Sequence, residues 1–559
     1  MTKHPQPPIF QASPLPAHLL TRPAGAAAPD QVLRLALRLI GRGGDAAIFA
    51  RAAELGGQHP RQRQYLDAQS LAAEFGPPPE ALDAVRAFCV QHGFTLDHTS
   101  MGGLFVTIVG KAGDLARAFD VELSMYHHED RTFRGYAGTL ALPPALDAHV
   151  AAVLGMDELA SLPARQTTTE DNTCWVSTNS NGHNSPITVA NQYYQYPTSY
   201  SGVGATIALI EDNLLVDQEN YTQYFQSLNE DVKVELIHGA NSAAKVAGAK
   251  LASHTDYNGE AMLDIKLAGS VAPGATLVVY GRSEDYGHGG GSWIDTLLEA
   301  FDNTAYPCNV ASISLGVPEY CWDPQYAQSV NLLFAVATLT GVTICVSSGD
   351  YGARGNPKGL LAQNCAFPAS SPYCLACGGT ELIISDDLAL DGEVVWNEMS
   401  QVGQKCATGG GRSVLFPVPD YQQGLALPDS FNAGLLAGRA LPDVAANAAI
   451  ASGYAMQPPG LPSDYYGTSA AAPMWAALIA RLVEGCDKAL GYLNPWLYAG
   501  QIDFSSSFCT PITEGNNGAP GDTVAFYAET GNVWNACCGL GSPVGVHIAN
   551  GLGLMPARP

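Results

Sequence analysis

Hydrophobic and polar positions follow two different patterns along the chain, and the pattern changes near residue 160. Apolar residues recur every three to four positions in three stretches, which predicts helices: "YLDAQSLAAEFG" (65–76), "PEALDAVRAFCVQHG" (79–93) and "KAGDLARAFDV" (111–121). The apolar run "GLFVTIVG" (103–110) predicts a strand. Helices with an antiparallel sheet form a small α+β domain, which we place at residues 31–158.

Beyond residue 187, short apolar runs alternate with helical patterns such as "SWIDTLLEAFDN" (292–303). The predicted strands are "ATIALI" (205–210), "ATLVVY" (275–280), "NVASISLG" (309–316) and "GVTICVSSGD" (341–350). Continuous apolar strands between helices indicate a parallel sheet covered on both faces. This alternation predicts that residues 187–559 form a doubly wound α/β domain. In such a domain the reactive side chains should lie beyond the carboxyl ends of the strands.

Two segments lack an apolar period. Residues 1–30 are interrupted by prolines and contain no apolar core of a signal peptide, so we predict a disordered tail. Residues 159–186 are rich in Thr, Asn and Ser and predict an exposed linker. If the protein is exported, the sequence indicates a route other than an N-terminal signal peptide.

Charge and composition exclude several partners. The net charge of the 559 residues is −25, and residues 171–559 hold 13 of the 27 Lys and Arg but 35 of the 52 Asp and Glu. Such an acidic domain would repel nucleic acid, and it suits an acidic medium in which protonation brings the charge toward zero. No apolar run of about 18 residues predicts a membrane span. The 13 cysteines make disulfides possible without fixing their pairing.

Candidate chemistry begins at Ser469 in "YYGTSAAAPMWAALIARL" (465–482), between a Gly-Thr turn and an apolar helix. A serine nucleophile needs a base, yet no histidine lies between His288 and His547. The alternative is that Ser469 only caps a buried helix.

Two carboxyl groups could replace the missing histidine. Glu260 and Asp264 are four residues apart in the helical stretch "NGEAMLDIKLAGSVAPGA" (258–275), so they share one helix face. Apolar neighbours on nearly every side predict burial, although a solvated acidic face is the alternative. Two buried carboxyls cannot both ionise easily, so one can accept a proton while its neighbour holds it in place.

Two further acids stand at predicted strand ends. Asp350 follows "GVTICVSSG" and Glu211 follows "ATIALI". Either could act in the site, and either could simply cap a turn or a strand end.

These stretches, together with "SSGDYGARG" (347–355), "FPASSPYCLACGGT" (367–380) and "LPDVAANA" (441–448), resemble the sedolisins, the serine-carboxyl peptidases, and especially their kumamolisin-like members. The resemblance implies a subtilisin-like fold for residues 187–559. It also implies that residues 31–158 are an activation propeptide with a ferredoxin-like fold, removed by cleavage within residues 159–186.

The resemblance also implies a role for each candidate residue. Ser469 would be the nucleophile, Glu260 the general base and acid, and Asp264 the residue that orients Glu260. Asp350 would stabilise the oxyanion beside the Ser469 backbone N–H, and Glu211 would hydrogen-bond the catalytic glutamate. Near pH 4 a histidine of ordinary pKa is protonated, whereas a glutamic acid is close to half-ionised.

The chain departs from the family pattern at two places. Leu315 stands where kumamolisin-like members have a tryptophan beside the acidic residues. Pro511 and Asn535 stand at the two acidic positions that bind the structural calcium of the family. Calcium prefers carboxylate oxygens, so we expect no calcium or other metal.

The sequence thus predicts a secreted, acid-acting serine-carboxyl endopeptidase, made as a self-processing precursor. We expect a monomer that acts on proteins or peptides and binds its own propeptide. Two alternatives stay open: a tripeptidyl exopeptidase of the same family, and a catalytically inactive homologue that serves as a binding protein.

Overall fold

The computed structural model describes residues 23–128, 131–136, 139–158, 176–177, 184–214, 216–238, 259–282, 293–355, 361–385, 387–400, 406–456, 464–503 and 506–554. Residues 1–22 of the predicted tail, and 159–175 and 178–183 of the predicted linker, lie outside these ranges. Within them, no helix is both long and apolar enough to span a bilayer.

The N-terminal region is an α+β domain. Its elements in chain order are β1 (Pro23–Ala26), β2 (Val32–Leu39), α1 (Gly44–Gly56), α2 (Ala68–Phe75), α3 (Pro79–His92), β3 (Thr95–Ser100), β4 (Phe105–Lys111), α4 (Ala112–Ala118), β5 (Leu123–His128), β6 (Arg131–Tyr136), α5 (Pro144–Asp147) and β7 (Val150–Leu154). The antiparallel order β3-β4-β2-β7, with helices in the two long connections, is the ferredoxin-like arrangement. Strand β1 pairs with β5, so the prediction of a disordered tail is wrong for Pro23–Ala26.

The C-terminal region is built around a mostly parallel sheet. Its elements are β8 (Val176–Ser177), α6 (Pro186–Thr188), β9 (Thr206–Asn213), α7 (Gln218–Ser227), β10 (Lys233–His238), α8 (Gly259–Val271), β11 (Thr276–Arg282), α9 (Trp293–Asp302), β12 (Val310–Ile313), β13 (Val317–Pro318), α10 (Pro324–Leu339), β14 (Thr343–Ser347), β15 (Ala366–Phe367), β16 (Leu375–Ile384), β17 (Leu390–Val395), β18 (Gly411–Arg412), β19 (Ala440–Leu441), β20 (Val444–Asn447), β21 (Tyr454–Ala455), β22 (Asp464–Tyr465), α11 (Thr468–Cys486), α12 (Asn494–Asp503), β23 (Cys509–Thr510), β24 (Ser542–Pro543) and α13 (Gly545–Gly551).

The described strands of the main sheet run in the order β10-β11-β9-β12-β14-β16-β17, and β20 also pairs with β16. All these pairings are parallel except that of β16 with β17. The apolar strands bury both faces: α8 and α11 belong to the core on one face, and α9 and α10 to the core on the other. The predicted doubly wound α/β architecture is confirmed.

The two regions pack against each other through a buried arginine. The fully buried Arg63 donates to the carbonyl oxygens of Gly56 and Gln58 in its own region, both at 3.1 Å, and to that of Leu490 in the C-terminal region at 2.7 Å. Helix α1 packs on α10 and α12. The helical side of the N-terminal domain thus covers the α10 face of the sheet.

Part of the predicted linker belongs to the C-terminal domain. Strand β8 pairs antiparallel with β22, which directly precedes the start of α11. Asn184 also bridges to Tyr454 of β21. The linker prediction is therefore wrong for Val176–Ser177 and for residues from 184 onward.

Candidate active site

The five candidate side chains lie at the carboxyl end of the parallel strands, as expected for this architecture. Glu211 is in β9, and Asp350 lies just beyond β14. Glu260 and Asp264 are in the first two turns of α8, and Ser469 is the second residue of α11. Helices α8 and α11 pack against each other, which brings the serine to the carboxyl groups.

Ser469 contacts Glu260. The Ser469 hydroxyl hydrogen-bonds the Glu260 carboxyl group. Glu260 is half-buried, whereas every other residue of α8 is buried. Gly467, with a φ of 99°, turns the chain sharply into α11, a conformation that other residues rarely adopt. Ser469 itself is 6% exposed.

Asp264 lies one helical turn after Glu260, and both Asp264 and Glu211 are completely buried. Burial raises the pKa of Asp264, and the charge of Glu211 and a hydrogen bond between the two carboxyl groups add to the rise. Ser314, just past β12, donates to Oδ2 of Asp264 at 2.8 Å, and its Oγ is 3.2 Å from the Ser469 carbonyl oxygen. The Ser314 hydroxyl therefore joins the buried carboxyls to the backbone of Ser469.

Asp350 caps the helix that carries Ser469. Its Oδ1 accepts from the backbone N–H of Thr468 at 2.8 Å and from the Thr468 hydroxyl at 2.6 Å. Gly467 provides no side-chain cap, so the first N–H of α11 is satisfied by a residue 118 positions away. Because Oδ1 takes both bonds, Oδ2 is left as the atom that can carry a proton.

Burial raises the pKa of three of these carboxyl groups. The pKa of Asp350 rises to about 6, and the two bonds from Thr468 oppose the rise. Burial also raises the pKa of Glu260, the Ser469 bond opposes this, and the negative charge of Asp350 adds to it. Burial is also the largest cause of the raised pKa of Asp264, and the negative charges of Glu211 and Glu260 raise it further. The comparison of histidine with glutamic acid near pH 4 used ordinary pKa values, and burial raises the pKa of Glu260 above its ordinary value.

Sequence reasoning missed Ser314 and Thr468. Ser314 directly precedes Leu315 in "SISLG", and a hydroxyl after an apolar strand was the available signal. Leu315 packs with apolar neighbours and has no polar group to replace the tryptophan of the family pattern. The hydroxyl of Ser314 supplies a donor at this place.

The residues at the expected calcium position do not fit a cation. Pro511 has no side-chain oxygen. The Nδ2 of Asn535 donates to the Ile512 carbonyl at 3.0 Å, and its Oδ1 accepts from the backbone N–H groups of Cys537 and Cys538 at 3.0 and 2.9 Å. Both ends of the amide are thus occupied. Across the described residues, no cluster of three or more His, Cys, Asp or Glu could hold a metal.

Comparisons with known proteins agree on both regions of the chain. Residues 22–159 match the family described as "Pro-kumamolisin, activation domain", and residues 165–495 match the "Subtilase family". The chain is 34% identical to kumamolisin of Bacillus sp. (strain MN-32) over 502 residues, which cover 88% of this chain and 87% of that one.

Two further similarities concern the structure and the mode of cleavage. The solved structure of Pseudomonas sedolisin, a serine-carboxyl proteinase complexed with two molecules of pseudo-iodotyrostatin, is 27% identical with a TM-score of 0.55, and the match covers 66% of this chain and 98% of that one. Tripeptidyl-peptidase SED1 of Arthroderma otae is 31% identical over 278 residues, covering 43% of this chain and 40% of that one.

Proposed function

The chain belongs to the sedolisin family of serine-carboxyl peptidases, and on that premise we propose that it is an acid-acting endopeptidase made as a self-processing precursor. The observation that carries the proposal is the contact of the Ser469 hydroxyl with the Glu260 carboxyl group, beside Asp264 and within reach of Asp350.

The proposed reaction passes through an acyl-enzyme. Oγ of Ser469 attacks the carbonyl carbon of the scissile peptide while its proton moves to Glu260. Glu260 then gives that proton to the departing amide nitrogen, and the C–N bond breaks. In the second half, a water molecule loses a proton to Glu260 and attacks the ester. The ester bond breaks and the proton returns to Oγ.

Asp264 and Asp350 support the two charged species of this reaction. Asp264, one turn along the same helix and in electrostatic interaction with Glu260, would orient Glu260 toward Ser469, and Glu211 and Ser314 hydrogen-bond Asp264 in turn. The carbonyl oxygen becomes an oxyanion that accepts from the Ser469 backbone N–H and from a proton on Oδ2 of Asp350. Donors placed in advance at such an oxygen typically contribute about 3–4 kcal/mol to transition-state stabilisation.

The pKa directions set the pH window of this mechanism. Asp350 donates only while protonated, so activity should fall as the pH rises through about 6. Glu260 accepts only while ionised, and its pKa is raised, so the acidic limb should lie above the ordinary value of 4.5. Below about pH 6 Asp350 is neutral and its contribution to that rise disappears. Burial, the largest cause of that rise, acts at every pH, so the proposed optimum in mild acid rests on the protonation of Asp350.

The endopeptidase proposal is supported by the extent of the similarity, since kumamolisin matches over 88% of the chain and tripeptidyl-peptidases match over 42% to 64%. Two peptides of one sequence, with a free and an acetylated N-terminus, test it. An endopeptidase cleaves both at the same internal bonds. A tripeptidyl-peptidase releases three residues from the free peptide and leaves the acetylated one intact.

Maturation provides a second test. Because Val176–Ser177 pair with β22, we propose that cleavage occurs between residues 159 and 175. The acidified precursor should shorten to a product whose N-terminus lies in that range, and Ser469→Ala should stay at full length. A Ser469→Ala protein that shortens equally when pure would contradict self-processing.

A further inference from the structure

A single amide connects two buried loops near the C-terminus. The first loop follows β23 and contains Ile512, and the second precedes β24 and contains Asn535. Both residues are buried, with 1% and 4% exposure. The side chain of Asn535 reaches the Ile512 carbonyl on one side and two backbone N–H groups of its own loop on the other.

The orientation of this amide is fixed by its partners. The group at one end is a carbonyl oxygen, which needs a donor, and the groups at the other end are two N–H donors, which need an acceptor. An aspartate in the same place would keep the two N–H bonds and would set its second oxygen against the Ile512 carbonyl. A cation between them would then be required.

One of the two loops contacts the segment that follows Asp350. The Asn517 carbonyl oxygen, in the same loop as Ile512, accepts from the backbone N–H of Ala353 at 3.0 Å, three residues after Asp350. On the other side, the N–H of Leu540 donates to the Asp443 carbonyl at 2.8 Å. The loop that contains Ile512 therefore supports the segment that carries Asp350, and the loop that contains Asn535 contacts the residue before β20.

We propose that the Asn535 amide performs the structural role that a bound calcium ion would have with carboxylates at positions 511 and 535. The amide has one property that such a site lacks. Calcium requires ionised carboxylates, and their affinity for the ion declines as they protonate in acid. An amide does not titrate, so the bridge has the same strength at the pH of synthesis and at the acidic pH of the proposed reaction.

The test is the melting temperature of the full-length precursor at neutral pH, with chelator or with millimolar calcium. All proteins carry Ser469→Ala, so that self-cleavage cannot alter the chain. Asn535→Asp is compared with Asn532→Asp, which places the same charge at an exposed residue three positions away. A third protein combines Pro511→Asp with Asn535→Asp.

We expect the parent and Asn532→Asp to melt at the same temperature with chelator and with calcium. Asn535→Asp should melt roughly 3–6 °C lower in chelator, because a buried donor is lost and two oxygens face each other. The double variant should recover as calcium is added, in a saturable manner.

Three results would overturn the proposal. A saturable rise of the parent with calcium would mean that the native loops bind the ion. Equal melting of Asn535→Asp and Asn532→Asp would mean that the bridge contributes nothing. If calcium does not change the melting temperature of the double variant, the amide does not occupy the position of a calcium site. None of these readings depends on activity, so they hold even if the proposed reaction is wrong.

Discussion

Replacement of Asp350 by asparagine separates the two roles proposed for this residue. Oδ1 of Asp350 accepts from the N–H and hydroxyl of Thr468, and the proton that would face the oxyanion is on Oδ2. Asparagine keeps an acceptor at the first position and places an N–H donor at the second, at every pH. Alanine loses both.

The expected magnitudes follow from the pKa of about 6. At pH 8 only about 1% of Asp350 is protonated, so activity limited by this group falls about 100-fold between pH 5 and 8. Asp350→Asn should stay within about 10-fold of the parent in kcat/KM at pH 5 and exceed it at pH 8. Asp350→Ala should lose about 100- to 1000-fold at pH 5, the usual cost of an oxyanion donor.

Stability provides a parallel readout with a defined sign. An acid whose pKa is raised from 3.8 to about 6 in the folded protein stabilises the fold most below pH 3.8, and this stability is lost as the pH rises through 6. The loss of folding stability is at most about 3 kcal/mol. We expect a smaller loss, because Asp350 is only half-buried and solvent screens its charge. Asp350→Asn removes this dependence, so its melting temperature should decline less between pH 3.5 and 7.

The assay is kcat/KM on one peptide across about pH 3 to 8, with folding checked at each point. Equal losses in the asparagine and alanine variants would refute the donor role and leave Asp350 as a helix cap. An active asparagine variant with an unmoved alkaline limb would assign that limb to Glu260 and Asp264.

Three further substitutions test other contacts. Ser314→Ala removes a donor that stabilises the ionised form of Asp264, so kcat should fall about 10-fold and the acidic limb should move to higher pH, with recovery in Ser314→Thr. Lys266 is fully buried between the rings of Tyr224 and Tyr465, at 5.5 and 5.4 Å, and burial lowers its pKa to about 7. The charge of Lys266 therefore destabilises the fold fully below pH 7 and progressively less above it. Lys266→Met should raise the melting temperature more at pH 5 than at pH 9. The opposite order would contradict the burial argument. Arg63→Met removes the bond to Leu490 between the two regions and two bonds within the N-terminal region. We expect faster self-processing after acidification, whereas an unchanged rate would mean that Arg63 does not limit propeptide release.

The elements of the fold could be predicted because each is encoded locally. Apolar runs of six to ten residues became β9, β11, β12 and β14, and the helical pattern at 292–303 became α9, with bounds within a few residues of those predicted. Strand β1 was missed because "PAGA" has no strand pattern, and only its pairing with β5 makes it extended.

The site was predictable only as far as its residues share a segment or a family motif. Glu260 and Asp264 could be paired from their spacing on one helix. The bonds of Ser314 to Asp264 and of Thr468 to Asp350 join residues 50 and 118 positions apart, so no local pattern encodes them. The raised pKa values were equally hidden, since they depend on how deeply the folded chain buries each carboxyl group.

The distribution of the site along the chain has a consequence during synthesis. The carboxyl groups emerge from the ribosome first, from residue 211 onward, and the serine hydroxyl comes last, at residue 469. Closing the contact between Asp350 and Thr468 brings together distant parts of the chain, which is a late and slow event in folding. A product truncated before residue 469 therefore contains the acids without the nucleophile. In an unfolded chain the serine is not in contact with its base. Such fragments would be inert toward the proteins of the cell that makes them, and hydrolysis would begin only in a completed fold.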